Sequence, residues 1–129
     1  MTCLETTFLI DLLRGSPSVK IVKDQLSKEE NLTIALPSIM ELWIGALLSK
    51  HTETEKEKIH ELLESFDLLP FDVESAKTAA EIQYALLQKG ASIQLTDTMI
   101  AAIAQVHGHV LVTRDEHFAR IPGLRVLKY

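Results

Sequence analysis

The sequence is short of the residues that several common chemistries require. It has a single cysteine, Cys3, so no internal disulfide can form, and a lone cysteine inside the first apolar segment reads as a core filler. Its five glycines are isolated, so no glycine-rich phosphate loop is present. Aromatics make up only 5% of the chain. No apolar run approaches the ~20 residues that a membrane-spanning helix needs. The N-terminus lacks a basic region followed by an apolar run and a cleavage site, so no secretory signal is visible and the cytoplasm is the expected compartment. His107 and His109 are two apart across Gly108, which a helix cannot place on one face, so zinc spacing is missing. Cys3 has no histidine near it in sequence, and no serine sits in a nucleophile elbow. Cations are scattered and the net charge is −5, a poor footprint for nucleic acid unless a few local residues and a metal make the contacts. Arg14, Arg114 and Arg120 are the arginines nearest the acidic positions discussed below, and solvated surface arginines are the competing reading.

What the chain does have is apolar substance, 47% of 129 residues, enough for one domain spanning 1–129 with a single core. Short apolar segments at Thr2 to Leu4, Leu32 to Leu36, Leu68 to Leu69, Val110 to Thr113 and Leu124 to Leu127 read as strands. Between them lie helical patterns. Phe8 to Leu13 follows the possible caps Thr6 and Thr7, and Gly15 stops it. Pro17 to Leu26 follows, then a polar turn at Lys28 to Asn31. A helix opens at Pro37 and Ser38 and runs to about Lys50; His51 to Lys58 reads as a loop and a solvated helix face, with more helix to about Phe66. Asp72 caps Val73 to Lys89, and an alanine-rich helix runs from Asp97 to His107. Strands alternating with longer amphipathic helices predict a three-layer α/β/α fold around a mainly parallel sheet of four to five strands.

Four acids stand at the edges of these segments: Glu5, Glu41, Asp97 and Asp115. Each also has an ordinary structural reading. Ser38 and Glu41 form an S-x-x-E capping box, Asp97 suits a helix dipole behind Thr96 as cap, and Asp115 suits the cap of a turn at Glu116 to Ala119. Glu5 reads as an exposed turn acid, the least cap-like of the four, and Asp11 as an acid either at the surface or supporting the site from behind, because its helix carries it away from the strand end. Taken together they sit at strand ends or helix starts, where an α/β fold gathers residues into one cleft beyond the carboxyl ends of the strands. Carboxylates so gathered repel unless a cation neutralises them, and hard oxygen donors favour Mg²⁺ or Mn²⁺. His117, near Asp115, is a weaker candidate base, and a metal-free hydrolase built on it lacks a partnered nucleophile.

The ordered set of segments resembles a known family. The run from Leu4 to Gly15 resembles the opening of PIN domains, especially VapC-type toxins. Ser38 to Leu42 resembles their second motif, Asp97 to Ala102 their third, and Thr113 to Phe118, ending in Ile121 to Leu124, their fourth. The resemblance implies a PIN fold, Mg²⁺- or Mn²⁺-dependent cleavage of RNA, a homodimer and inhibition by a VapB-type antitoxin. It implies Glu5, Glu41, Asp97 and Asp115 as the catalytic acids, with Glu5, Asp97 and Asp115 on the metal. Thr6, Arg14, Thr113 and Arg114 are expected on the substrate side. One position departs from the family: Glu5 stands where Asp is usual, moving the carboxylate by about 1.5 Å, one carbon–carbon bond. Displacements of that size matter to site geometry. The departure motivates a rival reading, a catalytically weak PIN module acting through protein contacts; a DNA-processing nuclease of the same fold differs only in substrate.

Overall fold

A computed structural model describes residues 1–28 and 31–129. Glu29 and Glu30, within the polar turn expected at Lys28 to Asn31, lie outside the described residues. The chain runs β1 (Thr2–Leu4), α1 (Thr6–Leu13), α2 (Pro17–Ser27), β2 (Leu32–Ala35), α3 (Leu36–Leu48), α4 (Thr52–Ser65), β3 (Asp67–Leu69), α5 (Val73–Gln88), α6 (Leu95–Val106) and β4 (Val110–Thr113). A 3₁₀ turn at Glu116–Arg120 then leads to β5 (Val126–Lys128). The five strands form one sheet in the order β3-β2-β1-β4-β5, and every pairing is parallel.

Strand alternation explains the layers. Successive residues of a strand point to opposite faces. Cys3, Ala35 and Leu111 therefore join one core with α5 and α6, built around Ile82, Leu86, Ile100, Ile103 and Phe118. Their neighbours Leu4, Ile34 and Val112 join the other, with Phe8, Leu9, Val19, Leu42, Ile59 and Leu62 from α1 to α4. The two cores require helices on both sides of the sheet, as the alternating pattern predicts.

β1 is central. From it the chain builds outward through β2 and β3, then returns to place β4 on the other side of β1. The winding direction thus reverses at the β1–β4 pair, and an open parallel sheet has its crevice beyond the carboxyl ends of the strands at such a point. The backbone N–H of Glu5 donates to the Val112 carbonyl at 3.0 Å, closing the ends of these two strands together. Helix α6 fixes the third side. Ile100 to Ala104 are all fully buried, five consecutive residues with three alanines, so this helix packs closely on all sides. Gly108 ends it with φ +68°, a left-handed conformation that favours glycine, and the chain turns into β4.

Several sequence expectations are corrected. Helix α4 begins at Thr52, so the charged stretch from His51 is almost entirely helix rather than loop; Lys56 with Glu53 and Lys58 with Glu55 pair along it. Helix α3 begins at Leu36, with Pro37 in its first turn, so Ser38 lies inside the helix and the S-x-x-E capping box does not form. Gln94, not Thr96, precedes the first turn of α6, and no side chain caps it. The last strand is Val126–Lys128 rather than Leu124 to Leu127.

Ile103, fully buried in α6, is the residue whose truncation tests this packing. Ile103→Ala is expected to cost about 2–5 kcal/mol in urea unfolding; a loss under about 1 kcal/mol contradicts a closely packed central helix.

Candidate active site

Glu5 is held more tightly than its sequence setting suggests. It is 2% exposed, at the end of β1, and it is the N-cap of α1, accepting from Thr7 N at 3.1 Å. The reading of an exposed, uncapping turn acid is therefore wrong. Thr7 Oγ1 and Thr113 Oγ1 also donate to the same oxygen, Oε1, at 2.6 and 2.5 Å. Each hydroxyl is itself aimed by a backbone donor: Arg114 N donates to Thr7 Oγ1 at 3.3 Å and Asp115 N to Thr113 Oγ1 at 3.0 Å. With those lone pairs taken, the hydroxyl protons turn to the carboxylate. Three donors thus converge on Oε1, and no hydrogen bond among the described residues engages Oε2. Thr113 is fully buried, so its expected contact with substrate gives way to a positioning role on Glu5.

Glu41 is held by the neighbouring threonine of α1. Thr6 Oγ1 donates to Glu41 Oε1 at 2.7 Å and lies 2.9 Å from the buried Ser38 Oγ. Thr6 is 5% exposed, so it too serves a carboxylate rather than an open surface. Consecutive threonines on α1 therefore hold two different acids, Thr6 holding Glu41 and Thr7 holding Glu5. Burial pushes the Glu41 carboxyl above its usual range; the Thr6 hydrogen bond opposes this and the nearby Glu5 charge adds to it.

Asp97 and Asp115 complete the group. Asp97 lies in the first turn of α6 and Asp115 two residues past β4. Asp115 caps the 3₁₀ turn, as its sequence position suggests: its Oδ1 accepts from His117 N at 2.9 Å and lies 2.7 Å from His117 Nδ1. Asp97 is strongly perturbed. Its carboxyl is pushed up to about 6, first by burial, then by Glu41, Asp115 and Glu5 in turn, with His117 the smallest effect and opposed. All four acids are therefore within electrostatic reach of one point. Asp97, Asp115 and His117 line one hollow of about 440 Å³, and Glu41 and Arg14 line another of about 350 Å³. Among the described residues, no three of these groups stand close enough to chelate a single ion as they are. The excess negative charge is uncompensated all the same, and the donors are all hard oxygens, the set a divalent Mg²⁺ or Mn²⁺ suits.

The arginines differ from one another. Arg14 is exposed beside Glu41 and contributes only electrostatically to Asp11. Arg114 Nε donates to Asp11 Oδ2 at 2.8 Å, so of the two roles the sequence leaves open to Asp11 the structure favours support of a residue at the site. Arg114 shares a hollow of about 500 Å³ with Thr7, Asp115, His117 and Arg120.

Comparison with known proteins shows the family and the fold. A family model described as "PIN domain" matches residues 2–124. The chain belongs to the PIN-domain family. This PIN domain is 31% identical over 125 residues to the tRNA(fMet)-specific endonuclease VapC of Salmonella typhimurium, covering 95% of this chain and 93% of that relative. It is 34% identical over 131 residues to Ribonuclease VapC1 of Rickettsia felis, covering 96% and 92%. Among solved structures it superposes with a TM-score of 0.93 and 25% identity on the VapBC2 complex of Rickettsia felis bound to a promoter DNA fragment, covering 99% of this chain and 98% of that one. The DNA-bound VapBC of Salmonella typhimurium gives 0.90 at 26% identity, covering 99% and 98%. The PIN resemblance and the VapC-like fold read from the sequence are borne out.

Two outcomes follow for the PIN domain without substrate. Asp97 titrates in the folded protein at about 6, above the ordinary aspartate value of 3.8, so the folded protein holds the extra proton between about pH 4 and 6. Stability therefore falls as pH rises through that window. Asp97→Asn is expected to remove this fall, melting a few degrees above wild type at pH 7 with the gain gone below pH 4; thermal melts across pH in EDTA check it. Thr113→Val, near-isosteric, is expected to lower stability by about 1.5–3 kcal/mol, the range for a hydrogen bond to a charged group, as read by denaturant unfolding.

Proposed function

We propose that this PIN domain is a metal-dependent endoribonuclease, the toxin of a VapBC-type pair. The observation that carries the reading is Asp97, lifted to about 6 by burial and by three neighbouring carboxylates. A site with that much uncompensated charge is built to receive a cation. Glu5, Asp97 and Asp115 would hold Mg²⁺ or Mn²⁺, and Glu41 would ligate it or orient a water. When bound, such an ion lowers the pKa of a coordinated water and neutralises charge on a phosphodiester.

The chain's own residues supply the rest. The hydroxyls of Thr7 and Thr113 fix one oxygen of Glu5 and leave the other for a cation, so the extra methylene of Glu relative to the usual Asp is taken up by a rigid tether. Thr6 fixes Glu41. Arg114 and Arg120 line the rim beside Asp115, the place for phosphate oxygens of an RNA strand. Of the two relatives quoted above, one is named a ribonuclease and the other an endonuclease specific for tRNA(fMet), which makes that tRNA the first substrate to try.

The partners follow the relatives. We take a VapB-type antitoxin as the inhibitor, and a homodimer in the cytoplasm as the working state; no helix among the described residues is long and apolar enough to cross a membrane. Leu36, Met40, Ile44, Leu47 and Leu48 leave an exposed apolar stripe along α3, suited to protein contact. A second reading, a catalytically weak module acting through such contacts, is favoured by the absence among the described residues of three acids ready to chelate one ion.

Cleavage of tRNA(fMet) with Mg²⁺ or Mn²⁺ tests the choice. Wild type is expected to cleave, EDTA to abolish cleavage, and Asp97→Asn to lower it on the order of 100-fold or more, since lost support of a metal site already costs up to that much. Undiminished cleavage by Asp97→Asn overturns the assignment. Calorimetry showing no Mn²⁺ binding at millimolar concentration supports the weak module instead.

A further inference from the structure

Arg114 is half exposed at the rim of the cleft, yet its guanidinium is not loose. Nε donates to Asp11 Oδ2 at 2.8 Å and Nη2 lies 3.4 Å from Asp11 Oδ1, a two-point grip that fixes the plane of the group. Asp11 is itself held. Tyr129 Oη donates to the same Oδ2 at 2.7 Å, and the Tyr129 ring packs edge-on against buried Phe8, with centroids 5.0 Å apart and planes at 85°. Because β5 runs parallel to β4, the chain past Lys128 emerges at the edge of the sheet that carries the four acids. Arg114 lowers the Asp11 carboxyl below its usual range, and burial together with Asp11 raises the Tyr129 hydroxyl, so Tyr129 stays a donor and Asp11 an acceptor.

The orientation has a chemical consequence. A guanidinium carries five N–H groups in a planar fork. Asp11 takes the Nε side. No hydrogen bond among the described residues engages Nη1. The backbone of Arg114 is pinned as well, by its N–H to Thr7 Oγ1 at 3.3 Å. An arginine so placed, sharing a hollow with Asp115, His117 and Arg120, presents one free edge next to the acidic site.

We propose that Asp11 and Tyr129 are positioning residues that pre-set Arg114 as a fixed contact for a phosphate of the bound RNA strand. Neither touches substrate; both act through Arg114. The inference rests on the ribonuclease reading above. It explains how a chain of net charge −5 retains an oriented cation at its acidic cleft. An unheld arginine would lose several rotors on binding, and holding it beforehand removes that cost.

The test is a double-mutant cycle on tRNA(fMet) cleavage, with kcat and KM measured separately. Arg114→Ala is expected to raise KM about tenfold, the effect of one lost charge-assisted contact, with kcat little changed. Asp11→Asn is expected to raise KM about threefold or more and Tyr129→Phe somewhat less. In the Arg114→Ala background neither is expected to change KM further. Arg114→Lys keeps the charge but not the fork, and is expected to leave KM elevated. Additive effects in the cycle, or a KM lowered by Asp11→Asn because the acid competes with phosphate, overturn the proposal. The Arg114 Nε–H resonance gives a second readout independent of turnover: it is expected to be slow to exchange in wild type and fast in Asp11→Asn. Fast exchange in wild type overturns the positioning. A wild-type protein that cleaves no RNA while Nε–H remains protected instead overturns the ribonuclease reading, and with it the role given to Arg114.

Discussion

Like-charge crowding at the carboxyl ends of β1 and β4 is the constraint around which the rest of the molecule is arranged. Four carboxylates come within electrostatic reach of one another through a parallel sheet whose winding reverses there and a buried helix whose first turn carries Asp97. Left alone, such a group costs stability, and the protein pays part of this in protonation: Asp97 keeps its proton to about pH 6. Another part is offset by hydroxyls. Thr6, Thr7 and Thr113 each donate to a carboxylate, and all three are supplied by the strands and the helix that form the cleft. These features make the fold and the chemistry inseparable. The hydrogen bond from Thr113 to Glu5 both links the ends of β4 and β1 and orients one of the acids.

This account changes the meaning of the substituted first acid. A glutamate in place of aspartate would loosen a site if its longer chain were free. Here three donors converge on one oxygen of a residue that is 2% exposed, so the added length is fixed rather than flexible. Consecutive threonines on α1 divide the work, one for Glu41 and one for Glu5. The PIN domain thus keeps a rigid first carboxylate by a different covalent route.

The layers, the helix and strand types and the identity of the four acids were legible in the sequence because they depend on local patterns. Alternating Cys3 and Leu4, or Leu111 and Val112, follow from strand period; the five buried residues from Ile100 to Ala104 follow from a run of small and apolar side chains. Asp115 caps its own turn, an interaction two residues long, and was read correctly. The misreadings share another cause. The Ser38–Glu41 box failed because α3 starts at Leu36, a boundary error of two residues that changes which groups need a cap. The burial of Glu5 is not legible locally, because one of its donors, Thr113, lies 108 positions away. For Asp11 the sequence leaves a surface and a supporting role open, because the partners that decide it, Arg114 and Tyr129, lie 103 and 118 positions away. Local chemistry predicts what a residue can do; only the fold supplies the partner that decides what it does.

The central claim is that Asp97 is held in an uncompensated acidic cleft that a divalent cation relieves. The most direct measurement is the carboxyl carbon shift of Asp97 followed by NMR across pH, with and without Mg²⁺. The account predicts a titration at about 6 without metal, moving to lower pH as Mg²⁺ is added. A titration near the ordinary aspartate range of about 3.9, unmoved by millimolar Mg²⁺, would contradict it.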